Sequence, residues 1–209
     1  MRENEWAAAR AAEQLSSAVR QQHVRATLAM LPSRDAKIAD AFLVVGAQYF
    51  ATARHVALEF IMPVSGTLYH SAIEMLLKGC LVDTLTVPRL KAIGHDLNIL
   101  WCLWKATPEG SALGRFDQAV AELHRFERIR YPDKIVDEGS AIGISLGGPG
   151  PSLVDALAPG APKYKLNIEQ LDNLVLAMFR DASIPLAPYF ACLPGILRKG
   201  LPAAFTDDG

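Results

Sequence analysis

The chain has 209 residues, 51% hydrophobic and 21% charged, with a formal net charge of −1. That length can bury the core of one compact domain without staples, and the apolar share excludes global disorder. Near-neutral charge argues against a bulk electrostatic nucleic-acid binder and leaves room only for a local patch.

Residues 3–30 are rich in Ala, Gln, Glu and Arg and hold no Gly or Pro, a composition that favours helix. The apolar stripe of Leu15, Val19 and Ala26, with Trp6 upstream, is thin. Residues 1–32 therefore read as a helical arm that docks on the body or on a second subunit. Charges interleaved with alanine, and no apolar central segment, set this stretch apart from a secretory signal. Pro32 and Ser33 mark a break and an N-cap, which opens a helical domain over residues 33–209.

Residues 35–61 form a mostly apolar run, apolar nearly all round for three turns, which places the helix centrally. The uncharged stretch from Ala41 to Ala53 is 13 residues long. A bilayer span needs about 20, so no membrane contact and a cytoplasmic location are expected. Pro63 and Ser65 punctuate the chain, and a second helix runs to Leu81 with Leu68, Ala72, Met75, Leu76 and Cys80 at helical spacing. Thr84–Gly94 reads as a loop. Asp96 then caps a helix whose Leu97, Leu100, Trp101 and Trp104 share one face. Thr107-Pro108-Glu109 reads as the start of the next helix, which runs to Tyr131 with Phe116, Val120, Leu123 and Phe126 inward and stops at Pro132.

Glycines and prolines then crowd: ten of the chain's fifteen Gly and thirteen Pro fall between Gly139 and Pro162. Ala141–Leu146 is nevertheless apolar, and Lys163-Tyr164-Lys165-Leu166 alternates with period two. The two segments are expected to pair as strands around a loop over Gly147–Pro162, giving a Gly/Pro-rich insertion at 139–166. Asn167 and Gln170 form a capping box for the last helix, with Leu171, Leu174, Val175, Met178 and Phe179 inward and Pro185 and Pro188 ending it. Cys80, Cys102 and Cys192 form no CxxC unit and read as reduced, buried thiols, not a disulfide framework or zinc site. The fold class is all-α, an antiparallel four- to five-helix bundle with an N-terminal arm and a short two-stranded β insertion.

Polar residues interrupt this pattern at few places. His70, Glu74 and Lys78 stand at i, i+4 and i+8 on an otherwise apolar helix. His55 and Glu59 repeat the His-x-x-x-Glu spacing one helix earlier. Two such pairs suggest a di-metal site, but carboxylate bundles use Glu-x-x-His with further glutamates, so no metal and no cofactor is assigned. An intrahelical Glu74–Lys78 ion pair with His70 satisfied nearby is the simpler account. Arg115, Arg125, Arg128, Arg130 and Lys134 flank His124. Of these, Arg125 and Arg128 share a face as a small basic strip for phosphates, or as part of a solvated charged surface that Glu122 and Glu127 dilute. No GxSxG, no cysteine–histidine pair and no phosphate loop occurs.

Three segments in order carry a resemblance: Leu68-Tyr69-His70-Ser71-Ala72-Ile73-Glu74-Met75-Leu76-Leu77-Lys78-Gly79, then Gly94-His95-Asp96-Leu97, then Arg130-Tyr131-Pro132-Asp133. Together they resemble the HEPN superfamily, in the branch with an Arg-Tyr-Pro-Asp motif, over residues 35–135. The resemblance implies an antiparallel helical bundle, usually dimeric. Its members include metal-independent ribonucleases, toxins of toxin–antitoxin or defence systems, partners of nucleotidyltransferases, and proposed nucleotide binders. The ribonuclease signature Arg-x(4–6)-His is missing after Arg130, where Tyr131, Pro132, Asp133, Lys134, Ile135, Val136 and Asp137 follow. Arg89 and His95 have the spacing but straddle a loop ahead of a different helix.

The expected network joins His70, Glu74, Lys78, His95, Asp96, Arg130, Tyr131 and Asp133, with Arg130 paired to Glu74 or Asp96. Arg130 and Lys78 are donors to a ligand, and His95, with Arg130, is the candidate catalytic group. The leading function is binding of a nucleotide, an RNA-like ligand or a nucleic-acid-processing partner. The alternatives are a non-catalytic dimeric interaction module, in which the network is structural, and a ribonuclease toxin.

Overall fold

The computed structural model describes residues 34–147 and 162–206. The arm read over 1–32 and the loop between the expected strands lie outside the described residues or nearly so. The chain divides into two units, Met1–Lys37 and Ile38–Gly209, and the second holds the hydrophobic core. Among the described residues there are nine α-helices and one two-stranded sheet. In chain order they are α1 (Arg34–Leu58), α2 (Val64–Leu81), α3 (Val87–Ile93), α4 (Leu97–Lys105), α5 (Asp117–His124), α6 (Pro132–Glu138), β1 (Ala141–Ser145), β2 (Lys163–Asn167), α7 (Ile168–Asp181), α8 (Ala187–Phe190) and α9 (Gly195–Lys199).

The second helix, α2, is the hub. Its Tyr69, Ala72, Ile73, Leu76, Leu77 and Leu81 are buried, and it packs against α4 and α5. Two glycines let α1 come close. A Cβ at Gly46 would lie 2.7 Å from the Leu76 side chain, and one at Gly79 would lie 2.8 Å from Leu43. Farther along, Phe50 of α1 meets the C-terminal segment: its ring stacks on Phe205 at 5.4 Å and meets Phe190 edge-on at 6.1 Å. These aromatic pairs add modestly to the area they remove from water.

α1 is less central than its composition suggests. Leu43, Ala47, Phe50, Ala53 and Ala57 are buried, while Val45 and Tyr49 on the other side are exposed. An all-round apolar run thus buries one face and leaves the other to solvent. Thr84–Gly94 is not a plain loop: it contains α3, which starts with extended Thr86 and has Pro88 in its first turn, where a missing N–H costs nothing.

The single helix expected over 107–131 is broken into three. The Thr107 hydroxyl donates to the Trp104 carbonyl at 2.7 Å and accepts from the Gly110 N–H at 3.2 Å. It therefore closes a turn on the end of α4 instead of capping a new helix. A 3-10 turn at Leu113–Phe116 follows, then α5, then a second 3-10 segment at Arg125–Ile129. The inward set Phe116, Val120, Leu123 and Phe126 is buried as expected. Pro132 does not merely stop a helix. Tyr131 is extended ahead of it, and Pro132 begins α6.

The strands pair, and they pair in parallel, with Ala141 opposite Lys163 and Ser145 opposite Asn167. A parallel pair needs a connection long enough to return to the starting edge, and residues 146–162 supply it. Tyr164 and Leu166 point into the core, as the period-two pattern requires, and β2 lies against α5. Asn167 ends β2 and caps α7: its Oδ1 accepts from the Gln170 N–H at 2.9 Å, and its Nδ2 donates to the Gly147 carbonyl at 2.8 Å. Leu171, Leu174, Val175, Met178 and Phe179 are all buried. The three cysteines are free, but only Cys80 is partly covered; Cys102 and Cys192 are exposed. Cys102 faces away from the side of α4 that buries Trp101 and Trp104, so an apolar neighbourhood in sequence does not make it a core residue.

Candidate functional site

The polar stripe of α2 is the centre of the site. Among the described residues only five polar or charged side chains are buried, and His70, Glu74 and Lys78 are three of them. The helix forms because its interior carries the good helix formers Leu68, Ala72, Met75, Leu76 and Leu77 and no Pro. Once it forms, a four-residue spacing stacks the three side chains along one line.

Glu74 accepts on both oxygens. Lys78 Nζ donates to Oε1 at 2.6 Å, and the His95 imidazole lies against Oε2 with Nδ1 at 2.9 Å. A carboxylate offers acceptors, so Nδ1 carries the proton and donates. Lys78 also donates to the Gly94 carbonyl at 2.8 Å. Buried charge is tolerable only when paired and hydrogen-bonded, and here the pair is tied to the α3–α4 connection as well as to itself. The path of that connection depends on Gly94, which has φ +67 and ψ −127 at the end of α3. An L-residue with a side chain rarely adopts that conformation. The turn sends His95 back over α2, and its side chain remains 56% exposed while that of Glu74 is 2% exposed.

A second part of the network sits one turn earlier on α2. His70 Nδ1 lies 3.8 Å from Glu127 Oε2, too far for a hydrogen bond, and Glu127 Oε1 accepts from Arg130 Nη1 at 3.3 Å. Burial holds the His70 imidazole below its ordinary pKa, with Glu127 and Glu74 pulling the other way and His124 adding to the depression. His70 is therefore neutral near pH 7, and its contact with Glu127 is polar and not ionic. The His70 and His124 rings lie 5.9 Å apart, and His70 Nε2 and His124 Nδ1 are buried without a hydrogen-bond partner.

The expected residues therefore separate. His70, Glu74, Lys78 and His95 come together. Asp96 caps α4 through the Ile99 N–H at 3.0 Å. Arg130 is on Glu127, three residues before it in the adjoining 3-10 segment, and not on Glu74 or Asp96. Tyr131 and Asp133 are exposed and belong to the start of α6. Arg125 and Arg128 do lie three apart on a 3-10 edge, but neither is unpaired. Arg125 donates to Glu122 at 3.1 Å and lies over the Tyr164 ring, and Arg128 donates to Glu138 at 2.6 Å. The basic strip is thus an array of ion pairs, each held by a carboxylate within ten residues. Among the described residues no three His, Cys, Asp or Glu side chains are grouped to hold a metal ion.

Three participants are not evident from the sequence. The Gly94 carbonyl is backbone and leaves no side-chain signal. Glu127 looked like dilution of a basic face and is the acid shared by His70 and Arg130. The third lies apart from the site: Arg54 Nε on α1 donates to both oxygens of Asp172 on α7, at 3.0 and 3.1 Å, beside Tyr69. Burial raises the Asp172 carboxyl against the pull of Arg54. An aspartate on the inner side of α7, among the buried Ile168, Leu171 and Val175, was its only signal.

Chemically, the arrangement presents one imidazole to solvent with its tautomer set by a buried carboxylate. Such a group can accept or donate a proton at Nε2, or hydrogen-bond a ligand there. No protein-family model, curated protein or solved structure matches the chain.

Proposed function

We propose that this chain is a HEPN-like antiparallel helical bundle domain whose His95-bearing surface binds a nucleotide or an RNA-like ligand. The observation that carries the proposal is the Glu74–His95 contact at 2.9 Å, with the carboxylate buried and the imidazole side chain 56% exposed. A histidine kept only for packing would be covered, whereas one oriented from below and open above is placed to meet a ligand. The ribonuclease reading shares this group as its acid or base. It lacks the family's Arg-x(4–6)-His pair, so binding is the function put forward.

The test is a thermal-shift screen of the whole chain with ribonucleotides and short single-stranded RNAs. A ligand at 100-fold its Kd stabilises by about 2.7 kcal/mol, or roughly 5–11 °C in a chain of this size. The shift given by the short single-stranded RNAs should vanish in His95→Ala, read against that variant's own ligand-free Tm, which falls with the lost hydrogen bond to Glu74. No shift across the panel sinks the proposal, and RNA cleavage lost in His95→Ala moves it to the ribonuclease reading. One observation favours a second, non-catalytic reading: Lys78, expected as a donor to ligand, has both partners inside the protein. In a dimeric interaction module the same network only fixes register, and light scattering would find a dimer that no ligand perturbs.

A further inference from the structure

A cleft away from the α2 stripe carries chemistry of its own. It measures about 500 Å³ and lies between the 3-10 turn at Leu113–Phe116 and the outer face of α7. Arg115 and Phe116 form one wall. Gln170, Asn173 and Arg180, at i, i+3 and i+10 along α7, form the other, with Leu176 between them. No carboxylate is among its lining residues, although the chain as a whole is slightly acidic.

Both arginines are held with hydrogen-bonding capacity to spare. The Arg115 guanidinium lies 4.6 Å over the Phe116 ring, with Nη1 donating to the Ala112 carbonyl at 3.4 Å. Stacking on a ring restrains a side chain that otherwise loses rotamer freedom on binding. Arg180 donates from Nε to Asp181 at 2.7 Å, which fixes the plane of its fork and leaves its η nitrogens unused by that bond. Paired guanidinium groups suit an oxyanion with several acceptor oxygens, because each offers a planar array of donors. The two carboxamides add donors and acceptors for a polar heterocycle or sugar. Leu176, half-buried, supplies an apolar patch beside them, in a volume within the usual range for small-molecule sites.

We infer that this cleft is a binding site for a small phosphorylated molecule of mononucleotide size, its phosphate held between Arg115 and Arg180 and the rest of it against Gln170, Asn173 and Leu176. The site is separate from His95, and the inference stands whether or not the proposed function does.

The probes are the four ribonucleoside 5′-monophosphates, inorganic phosphate and adenosine, titrated calorimetrically into the full chain. At least one monophosphate should bind one to one with Kd below about 1 mM. Inorganic phosphate and adenosine should each bind at least tenfold more weakly. Arg115→Gln and Arg180→Gln should each weaken the nucleotide at least tenfold, and Arg180→Lys should recover only part of that loss. Both positions are exposed, and circular dichroism checks that the variants stay folded. His95→Ala should leave this binding unchanged, which distinguishes its failure from failure of the proposed function. The inference is overturned if no monophosphate binds, if binding survives loss of both arginines, if adenosine binds as well as its monophosphate, or if only an oligoribonucleotide binds.

Discussion

The buried pair on α2 allows a sharp test, because its two members should be costly to remove singly and cheap to remove together. In Lys78→Met, Glu74 keeps its place with a side chain 2% exposed and loses its ammonium partner. In Glu74→Leu, the Lys78 ammonium is left with the Gly94 carbonyl alone. Breaking a buried pair in this way costs about 3–5 kcal/mol, which lowers Tm by roughly 6–20 °C at this chain length. In the double variant two apolar side chains of similar volume replace the pair. Such replacements are often neutral or better, and the lost donor to Gly94 costs about 1 kcal/mol. The double variant should therefore be no more than about 2 kcal/mol below the parent, with a coupling of at least about 4 kcal/mol between the sites. Urea denaturation followed by far-ultraviolet circular dichroism measures all four proteins, with an unchanged m-value as the control. If each single variant loses less than about 1 kcal/mol, the pair behaves like a solvated i,i+4 pair and the reasoning from burial is wrong. Additive single losses refute it equally.

Other expectations follow from the same geometry. Burial holds His70 below its ordinary value of 6.5, so the unfolded chain protonates first on acidification. Stability from this group is complete above about pH 6.5 and is lost as pH falls toward the depressed value; Tm measured from pH 8 to pH 5 should fall less steeply in His70→Gln than in the parent. Gly94→Ala forces a side chain into φ +67 and should cost about 1–3 kcal/mol in urea, with loss of the His95–Glu74 contact visible as a shift of the His95 imidazole resonances. Arg54→Met leaves the buried Asp172 carboxylate without its cation and should cost about 3–5 kcal/mol by the same assay. Asp172→Asn, which keeps an acceptor for Arg54, should cost distinctly less.

The helices legible in the sequence were those whose periodicity agreed with their caps. Asp96 and Asn167 each announced a start with a short polar side chain, and each accepts the backbone N–H three residues on. The break after Thr107 is not legible, because a hydroxyl before a proline looks the same whether it caps the helix ahead or closes the one behind. α3 was missed because seven residues with one buried side chain, Leu90, carry too little periodicity to be seen. In the site, Glu74 and Lys78 were legible because charges on an apolar helix must find each other, and a four-residue spacing lets them. The place of Arg130 was not legible. Its acid, Glu127, lies three residues before it on a 3-10 segment, and the sequence reads that stretch as continuous helix running to Tyr131. The asymmetry between α1 faces was also hidden, since composition does not say which apolar side chains a neighbour covers.

One asparagine decides how two parts of this fold come apart. Asn167 is the last rung of the β ladder, the cap of α7 and a tether to Gly147. Strand pairing and helix initiation therefore share a single residue, and neither can fray from that end without loosening the other. A parallel ladder closing over a 17-residue connection is a non-local element that depends on the rest of the core for its formation. Joined through Asn167, β1, β2 and the first turn of α7 should open as one cooperative unit. In native-state hydrogen exchange the amides of Ile142–Ile144 should then share an opening free energy with that of Gln170, although more than twenty residues separate them in the chain.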